Sequence, residues 1–239
     1  MVRRRNNFSG KILVGITGNT EAHWKSQLRE INDFKISEIS LFLERYSKPQ
    51  RQKIYTALLN SQIKDIPLVH IKNDMAKEEL EFLAENFGSN YFTIHENSFK
   101  VLGKWQGFYK HLFLEMNTDN FVSHSVNVNK IGGFCIDLAH FKVEEEKRAK
   151  EFDYIVKRKK VSRYFACNHL NGYSPEKNVD MHTIRSLKDF DYLKTLPKFV
   201  FGSVIGLETE NSISEQLAFK AYLERFLNAP PALIRSDKG

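Results

Sequence analysis

Six short apolar runs along this chain each end in a histidine, a glutamate or an aspartate. The six residues are His70, His95, Glu115, Asp137, His169 and Glu208. Imidazole and carboxylate groups are the side chains that hold zinc, manganese or iron in proteins. A single histidine at the end of a strand is more often a core residue with satisfied hydrogen bonds than a ligand. Six such residues at equivalent positions are hard to explain by core packing, so the pattern favours a metal centre.

Two local motifs add three further candidate ligands. Asp137 and His140 form an Asp-x-x-His motif, and His169 is followed eleven residues later by Asp180-x-His182. Residues two positions apart in an extended segment point to the same side, so Asp180 and His182 can reach one ion. Each motif is weak on its own, and the evidence lies in the order of all nine residues along the chain.

Apolar, β-rich runs alternate with amphipathic helical runs, which is typical of a parallel sheet flanked by helices. The predicted strands are 11–16, 38–43, 66–71, 91–96, 111–116, 134–138, 163–169 and 204–208. The predicted helices are 21–34, 49–62, 77–86, 102–110, 143–158, 186–196 and 212–227. We therefore expect residues 1–239 to form a single α/β domain, a (β/α)8 TIM barrel, with residues 1–10 as a flexible basic tail.

The candidate ligands all follow their strands, at the C-terminal side. In a barrel of parallel strands these ends share one face, and that face holds the chemistry of such enzymes. The sequence therefore predicts that the nine residues converge around the mouth of the barrel.

The chain carries 36 Lys and Arg against 29 Asp and Glu, which gives a formal net charge of +7 and a pI near 9.2. This excess favours an anionic partner such as nucleic acid or a phosphorylated sugar. The basic run from Lys157 to Lys160 is interpreted as a solvated helix end, because cations suit the negative end of a helix dipole.

The two cysteines, Cys135 and Cys167, are too few for a disulfide framework and are interpreted as small buried residues that face the barrel interior. The N-terminus has basic residues with no apolar stretch behind them, so no signal peptide is predicted. No apolar run approaches the length of a membrane span. We expect a cytoplasmic protein that acts as a monomer and has no membrane partner.

The ordered ligand set resembles that of the endonuclease IV family (AP endonuclease family 2), which belongs to the xylose isomerase-like TIM barrels. That pattern has a His after strands three and four, a Glu on strand five, and Asp-x-x-His on strand six. It continues with His-Leu-Asn on strand seven, then Asp-x-His, then Glu-Thr on strand eight. The matching residues are His70, His95, Glu115, Asp137 with His140, His169, Asp180 with His182, and Glu208. The resemblance spans roughly residues 66–210.

The resemblance implies up to three bound zinc ions, with manganese or iron as alternatives. The first ion would be held by His70, His95 and Glu115, the second by Glu115, Asp137, His169 and Glu208, and the third by His140, Asp180 and His182. It also implies hydrolysis of phosphodiester bonds in abasic or otherwise damaged DNA, with Glu115, Asp137, Glu208 and His182 as the catalytic residues. A close pair of metal ions lowers the pKa of a water toward neutrality, so no side-chain nucleophile is needed.

The chain departs from the family pattern in the segments that read DNA. The family's Asn-x-Ala-Gly-x-Gly stretch is replaced after Glu115 by Met-Asn-Thr-Asp-Asn, and Gly172 stands where the family has an Asp after His-Leu-Asn. The loop after His70 is also shorter than the loop that the family wedges into the duplex. These departures imply weaker dependence on flipping a damaged nucleotide, and a smaller or single-stranded substrate.

Two alternatives stay open at this point. A sugar isomerase or epimerase of the same superfamily needs one divalent metal, which Glu115, Asp137, His169 and Glu208 would hold, and its substrate would be a sugar or a small phosphorylated sugar. A barrel that binds metal without catalysing a reaction would serve as a binding protein. The additional candidate ligands, which an epimerase does not need, favour the hydrolase.

Overall fold

The computed structural model of the protein describes residues 10–228, so the predicted tail lies almost wholly outside the described residues. A sheet of nine strands has the order β1-β11-β8-β7-β6-β5-β4-β3-β2, and all its described pairings are parallel. The strands are β1 Lys11–Leu13, β2 Gly15–Ile16, β3 Glu38–Phe42, β4 Asp65–His70, β5 Tyr91–His95, β6 Leu112–Glu115, β7 Gly133–Asp137, β8 Phe165–Leu170, β9 Gly172–Ser174, β10 Val179–Met181 and β11 Val204–Leu207. Strands β9 and β10 form a separate antiparallel hairpin.

The sheet closes on itself through its first strand. The short segments β1 and β2 are consecutive parts of one strand, with β1 paired to β11 and β2 paired to β3. Gly15 is required at this seam because a Cβ there would lie 2.4 Å from the carbonyl oxygen of Leu207. The result is the predicted eight-stranded α/β barrel, with the C-terminal ends of its strands at one end.

Six α-helices lie in the described residues, fewer than the sequence predicted. They are α1 Glu21–Asp33, α2 Lys48–Leu59, α3 Lys77–Phe87, α4 Leu138–Lys147, α5 Lys150–Val156 and α6 Ile213–Asn228. The predicted helices at 102–110 and 186–196 are 3-10 segments instead, at Leu102–Trp105, Tyr109–His111 and Leu187–Thr195. Gly103 and Gly107 explain the first correction, since glycine is a poor helix former. None of the helices in residues 10–228 is long and apolar enough to cross a membrane.

The predicted helix at 143–158 begins earlier than expected and is divided into two helices. Helix α4 begins directly after β7, because the Asp137 side chain caps it by accepting a hydrogen bond of 2.8 Å from the backbone N–H of His140. It ends at Arg148, which has a left-handed φ of 52° and separates α4 from α5. His140 therefore lies on the first turn of a helix, with Asp137 directly beneath it.

The interior of the barrel is apolar below the ligand level. Leu13, Leu68, Phe113, Cys135, Cys167 and Val204 form this inner cluster. The two cysteines are free, fully buried and directly opposed across β7 and β8, which confirms their predicted position in the core. The inner cluster closes the barrel beneath the polar residues at its mouth.

A buried arginine fixes the short loop that follows β4. The guanidinium of Arg51 donates two hydrogen bonds to Glu79, at 2.8 and 2.9 Å, and one of 2.9 Å to Asp74. It also donates to the Tyr46 carbonyl oxygen at 2.8 Å, so α2, α3 and this loop are joined at one point. Breaking such a buried pair typically costs about 3–5 kcal/mol, so the segment directly after His70 is held in place.

Candidate metal centre

Two compact sets of ligand atoms share one glutamate at the mouth of the barrel. The first set is His70, His95 and Glu115, and the second is Glu115, Asp137, His169 and Glu208. A further group of three, His70, His169 and Glu208, overlaps both sets. Within each set, one ligand atom per residue lies within 4.8 Å of all the others. Both sets lie at the C-terminal ends of β4, β5, β6, β7, β8 and β11.

The distances within these sets suit divalent ions. His169 Nδ1 lies 2.9 Å from Glu115 Oε2 and 3.3 Å from Glu208 Oε2. His70 Nδ1 lies 3.7 Å from the same oxygen of Glu115. Ligand atoms bound to one zinc at about 2.0–2.2 Å are separated by roughly 3–4 Å in a tetrahedral arrangement.

A third group of residues, Asp180, His140 and His182, lies beside these sets but is not one of the compact ligand sets. Asp180 Oδ2 lies 3.2 Å from His182 Nε2 and 3.7 Å from His140 Nε2, so the carboxylate sits between the two imidazoles. His140 Nδ1 lies 3.3 Å from Glu115 Oε1, which connects this group to the shared glutamate. Asp180 lies on β10, in the antiparallel hairpin of β9 and β10.

Two imidazoles of the centre, those of His169 and His182, are oriented by a hydrogen bond at the ring nitrogen that faces away from the other ligands. The Thr93 hydroxyl lies 3.2 Å from His169 Nε2, which leaves Nδ1 of that ring directed at Glu115 and Glu208. His182 Nδ1 donates to the backbone carbonyl of Glu208 at 3.1 Å, which leaves Nε2 directed at Asp180. Metal-binding histidines are commonly fixed in this way through their second ring nitrogen.

Asp137 is oriented through both of its carboxylate oxygens. Oδ1 accepts the helix-capping hydrogen bond from His140, and Oδ2 accepts one of 2.9 Å from the fully buried Asn171 side chain. Asn171 belongs to the His-Leu-Asn motif, but sequence reasoning gave it no role of its own. The structure therefore assigns it to positioning Asp137.

Replacing Asn171 with leucine, which has a similar shape, is expected to weaken metal binding about ten- to 100-fold, because the carboxylate of Asp137 loses its orienting donor. Competition titration with a chromophoric chelator measures the affinity. The melting temperature of the metal-free variant serves as the control for folding. Unchanged affinity in a folded variant would show that the Asn171 bond does not orient a ligand.

Several buried atoms of the centre have no hydrogen-bond partner within residues 10–228. They are Nδ1 and Nε2 of His70, Nδ1 of His95, His140 and His169, and one oxygen each of Glu115 and Glu208. The short distance from His169 to Glu115 does not have the angle of a hydrogen bond. Buried polar atoms are nearly always satisfied, so a concentrated group of exceptions needs an explanation. The donor set fits divalent metal ions, and zinc in particular.

The pKa values of the carboxylates in the centre are shifted by burial and by the neighbouring imidazoles. Burial favours the neutral form of Glu115, but His169, His140 and His70 outweigh it and hold the pKa of this carboxyl well below its usual value. Burial likewise raises the pKa of Asp137, and raises that of Glu208 to about 8. Perturbed titration of this kind is characteristic of functional sites.

Metal binding at this centre is expected to strengthen as pH rises. Although burial opposes it, Asp180 raises the pKa of His182 to about 9, and burial raises that of Glu208 to about 8. Both groups therefore hold protons at pH 7 that a metal ion must displace. The increase in melting temperature on adding zinc should be larger at pH 8.5 than at pH 6.

The stability of the metal-free protein should fall as pH rises, whereas metal binding strengthens, and this difference provides the control. For both groups the folded pKa is raised, so the folded state binds more protons than the unfolded state. Their contribution to stability is present at low pH and is lost between about pH 5 and pH 9. A zinc effect that is equal at both pH values would contradict the proton competition.

Glu44 also belongs to the mouth of the barrel, and sequence reasoning missed it. Its Oε2 is buried, has no hydrogen-bond partner in the described residues, and lies 3.7 Å from His70 Nδ1. Burial raises the pKa of this carboxyl. The signal was present in the sequence, because the apolar run 39–43 ends in Glu44 as the other runs end in their ligands.

Glu144 is a second buried carboxyl beside the centre. It is 1% exposed, neither oxygen has a hydrogen-bond partner in the described residues, and burial raises its pKa to about 9. It lines a small cavity together with Glu115, Asp137 and His140, whose free volume of about 10 Å³ is that of roughly one water. The side chain is therefore neutral at pH 7.

The chain is similar in structure to a protein described as D-tagatose 3-epimerase-like. The two share 14% sequence identity, the match covers 90% of this chain and 98% of that chain, and the TM-score is 0.55. No family model matches the sequence, and no curated protein matches it. At this identity the likeness shows the fold alone, and it confirms the predicted α/β barrel. The narrower resemblance to endonuclease IV gains no support from it.

Proposed function

We propose that this protein is a metal-dependent hydrolase of phosphodiester bonds that uses up to three zinc ions, with manganese or iron as alternatives. One observation carries the proposal: Glu115 is shared by two compact sets of ligand atoms, His70 with His95 and Asp137 with His169 and Glu208. A carboxylate placed between two such sets is suited to bridge two ions. A reaction that needs only one metal is served by the second set alone.

The proposed roles of the residues follow from their positions. Each compact set would hold one ion, and Asp180 between His140 and His182 would hold another on the substrate side. When bound, adjacent divalent ions lower the pKa of a water and neutralise charge on a phosphate. His182 and Asp180 are partly exposed, so they can contact the substrate, whereas the Glu115 side chain is 3% exposed and is reserved for the ions.

Nucleic acid is the proposed substrate class, and DNA in particular. The proposal is supported by the ligand order that resembles endonuclease IV and by the net charge of +7. The loop from 71 to 76 is short and is tied down by Arg51, so it cannot serve as a long wedge between bases. A single-stranded or small phosphodiester substrate suits this mouth better than a damaged duplex that must be distorted.

A sugar isomerase or epimerase is the second candidate. It is favoured by the compact set of Glu115, Asp137, His169 and Glu208, which suffices for one divalent metal, and by the structural likeness to an epimerase-like protein. Epimerisation moves a proton off and onto a carbon atom, and burial raises the pKa of Glu208 to about 8, which suits proton transfer near neutral pH. This candidate leaves His70, His95 and the Asp180 group without a role.

Elemental analysis of the purified protein together with a substrate panel separates the candidates. The panel contains an abasic duplex, an undamaged single strand, bis-p-nitrophenyl phosphate and a set of ketoses. We expect more than one metal per chain and cleavage of at least one phosphodiester. One metal per chain with ketose epimerisation would establish the second candidate, and bound metal without turnover of the panel would indicate a binding protein.

A further inference from the structure

We propose that the N-terminal end of the barrel, opposite the metal centre, binds the phosphate backbone of nucleic acid. The proposed surface, called here the basic floor, consists of the segments 109–111, 127–132 and 157–164. These segments directly precede β6, β7 and β8, which are neighbours in the sheet. The inference concerns binding alone and does not depend on which reaction the metal centre catalyses.

The basic floor is positively charged without compensation. Its cations are Lys110, Lys130, Lys157, Arg158, Lys159, Lys160 and Arg163, and its three segments contain no Asp or Glu. Six of the seven are exposed, and Arg158 is partly exposed. Within residues 10–228, none of these side chains forms an ion pair with an acidic group, whereas Lys25, Lys53 and Lys77 on the outer helices all do.

The seven cations come from three segments that are separate in sequence but precede neighbouring strands of the barrel. The run 157–160, interpreted from the sequence as a solvated helix end, is therefore joined in space by basic residues of two neighbouring loops. A solvated helix end would not explain why those loops also lack acidic residues.

The loops that carry the charges are held together. The Tyr164 hydroxyl donates to Asn129 Oδ1 at 2.6 Å, which joins the segment before β8 to the segment before β7. The guanidinium of Arg158 lies 3.6 Å from the ring centroid of Tyr154 and donates to its carbonyl oxygen at 2.7 Å. Part of the surface is thus ordered before any partner binds, which reduces the entropy cost of binding.

Nucleic acid fits this surface better than an anionic membrane. Stable membrane anchoring requires an apolar or lipid group in addition to basic residues. The exposed large apolar residues of the described chain are Phe34, Leu59, Phe121, Val179 and Leu187, and none lies on the basic floor. Lysine-rich surfaces without a defined groove bind phosphates regardless of base sequence. The floor and the metal centre lie at opposite ends of the barrel, so the floor would tether a strand away from the reacting bond.

The test compares two variants of equal net charge. The floor variant carries Lys157→Ala, Lys159→Ala, Lys160→Ala and Arg163→Ala, and the control variant carries Lys25→Ala, Lys53→Ala, Lys77→Ala and Lys220→Ala. Fluorescence anisotropy measures the binding of metal-loaded protein to an undamaged 30-base-pair duplex and to a 30-nucleotide single strand, across a series of salt concentrations. For the floor variant the slope of log Kd against log salt should fall by about 3 to 4, because each phosphate contact contributes about 0.9. The control should keep the slope of the unmodified protein.

Three results would overturn the proposal. An unchanged slope in the floor variant would exclude the surface, and an equal loss in the control would show that net charge alone is responsible. Binding to phosphatidylserine vesicles without binding to either nucleic acid would assign the surface to membranes. Should the alanine variant melt at a lower temperature, the corresponding Lys→Gln substitutions at 157, 159 and 160 remove the charge and keep most of the aliphatic stem, and the same slopes are compared.

Discussion

Replacing Glu115 with glutamine is expected to release two of the proposed metal ions together and to lower turnover by at least about 10³-fold. Glutamine keeps the shape of the side chain but removes the negative charge that both compact ligand sets share. It also removes the charge that faces His169 at 2.9 Å and His70 at 3.7 Å. Metal content by elemental analysis and the rate of phosphodiester cleavage are the measurements.

Glu144→Gln is the matched control for this substitution. Glu144 is also a buried glutamate beside the centre, but it belongs to neither compact set and is neutral at pH 7 because burial raises its pKa to about 9. We expect it to keep its metals. Loss of a single ion from Glu115→Gln would show that Glu115 does not bridge, and equal losses in both variants would point to a general effect of altering a buried acid.

The barrel, and the position of its candidate ligands at the C-terminal ends of the strands, could be predicted because both depend on local sequence patterns. A parallel strand is a short apolar run, and in a parallel barrel all runs finish at the same end. His70, His95 and Glu115 could therefore be placed near one another with no knowledge of distances. The same rule includes Glu44, which lies outside the resemblance because the family's motif begins after the third strand.

The helices were less predictable because their bounds depend on single capping residues. The sequence predicts only a ligand role for Asp137, yet this residue also caps α4 and so places His140 on the helical turn directly above β7. Arg148, with its left-handed backbone, divides a run that has continuous helical periodicity. Such an interruption depends on how α4 and α5 pack, and local propensity does not show it.

Residues that orient a ligand distant in the sequence could not be predicted from the sequence. Thr93 on β5 contacts His169 on β8, and Asn171 contacts Asp137 across 34 positions. Neither pairing leaves a spacing signal, because the partners lie far apart in the sequence. The four ligands Glu115, Asp137, His169 and Glu208 are common to both candidate functions, so they do not identify the reaction. The two candidates differ in whether they use the additional residues.

His182→Ala is the substitution that separates the two candidate functions most directly. The side chain lies 3.2 Å from Asp180 and outside both compact sets, so its removal should cost one ion and leave the set of Glu115, Asp137, His169 and Glu208 in place. If the protein is a hydrolase, loss of the charge facing the substrate phosphate should reduce cleavage by about 10³-fold.

An epimerase would respond differently, since its single metal does not involve His182. His124→Ala, at an exposed histidine that belongs to neither ligand set, is the control for loss of an imidazole. Both variants are assayed with the same panel of phosphodiesters and ketoses, and their metal content is measured alongside. Loss of cleavage and of one ion in His182→Ala alone would support the hydrolase. Ketose turnover that survives His182→Ala, with no cleavage of any phosphodiester by the unmodified protein, would replace it with the epimerase, because the four-ligand set would then be sufficient for the reaction.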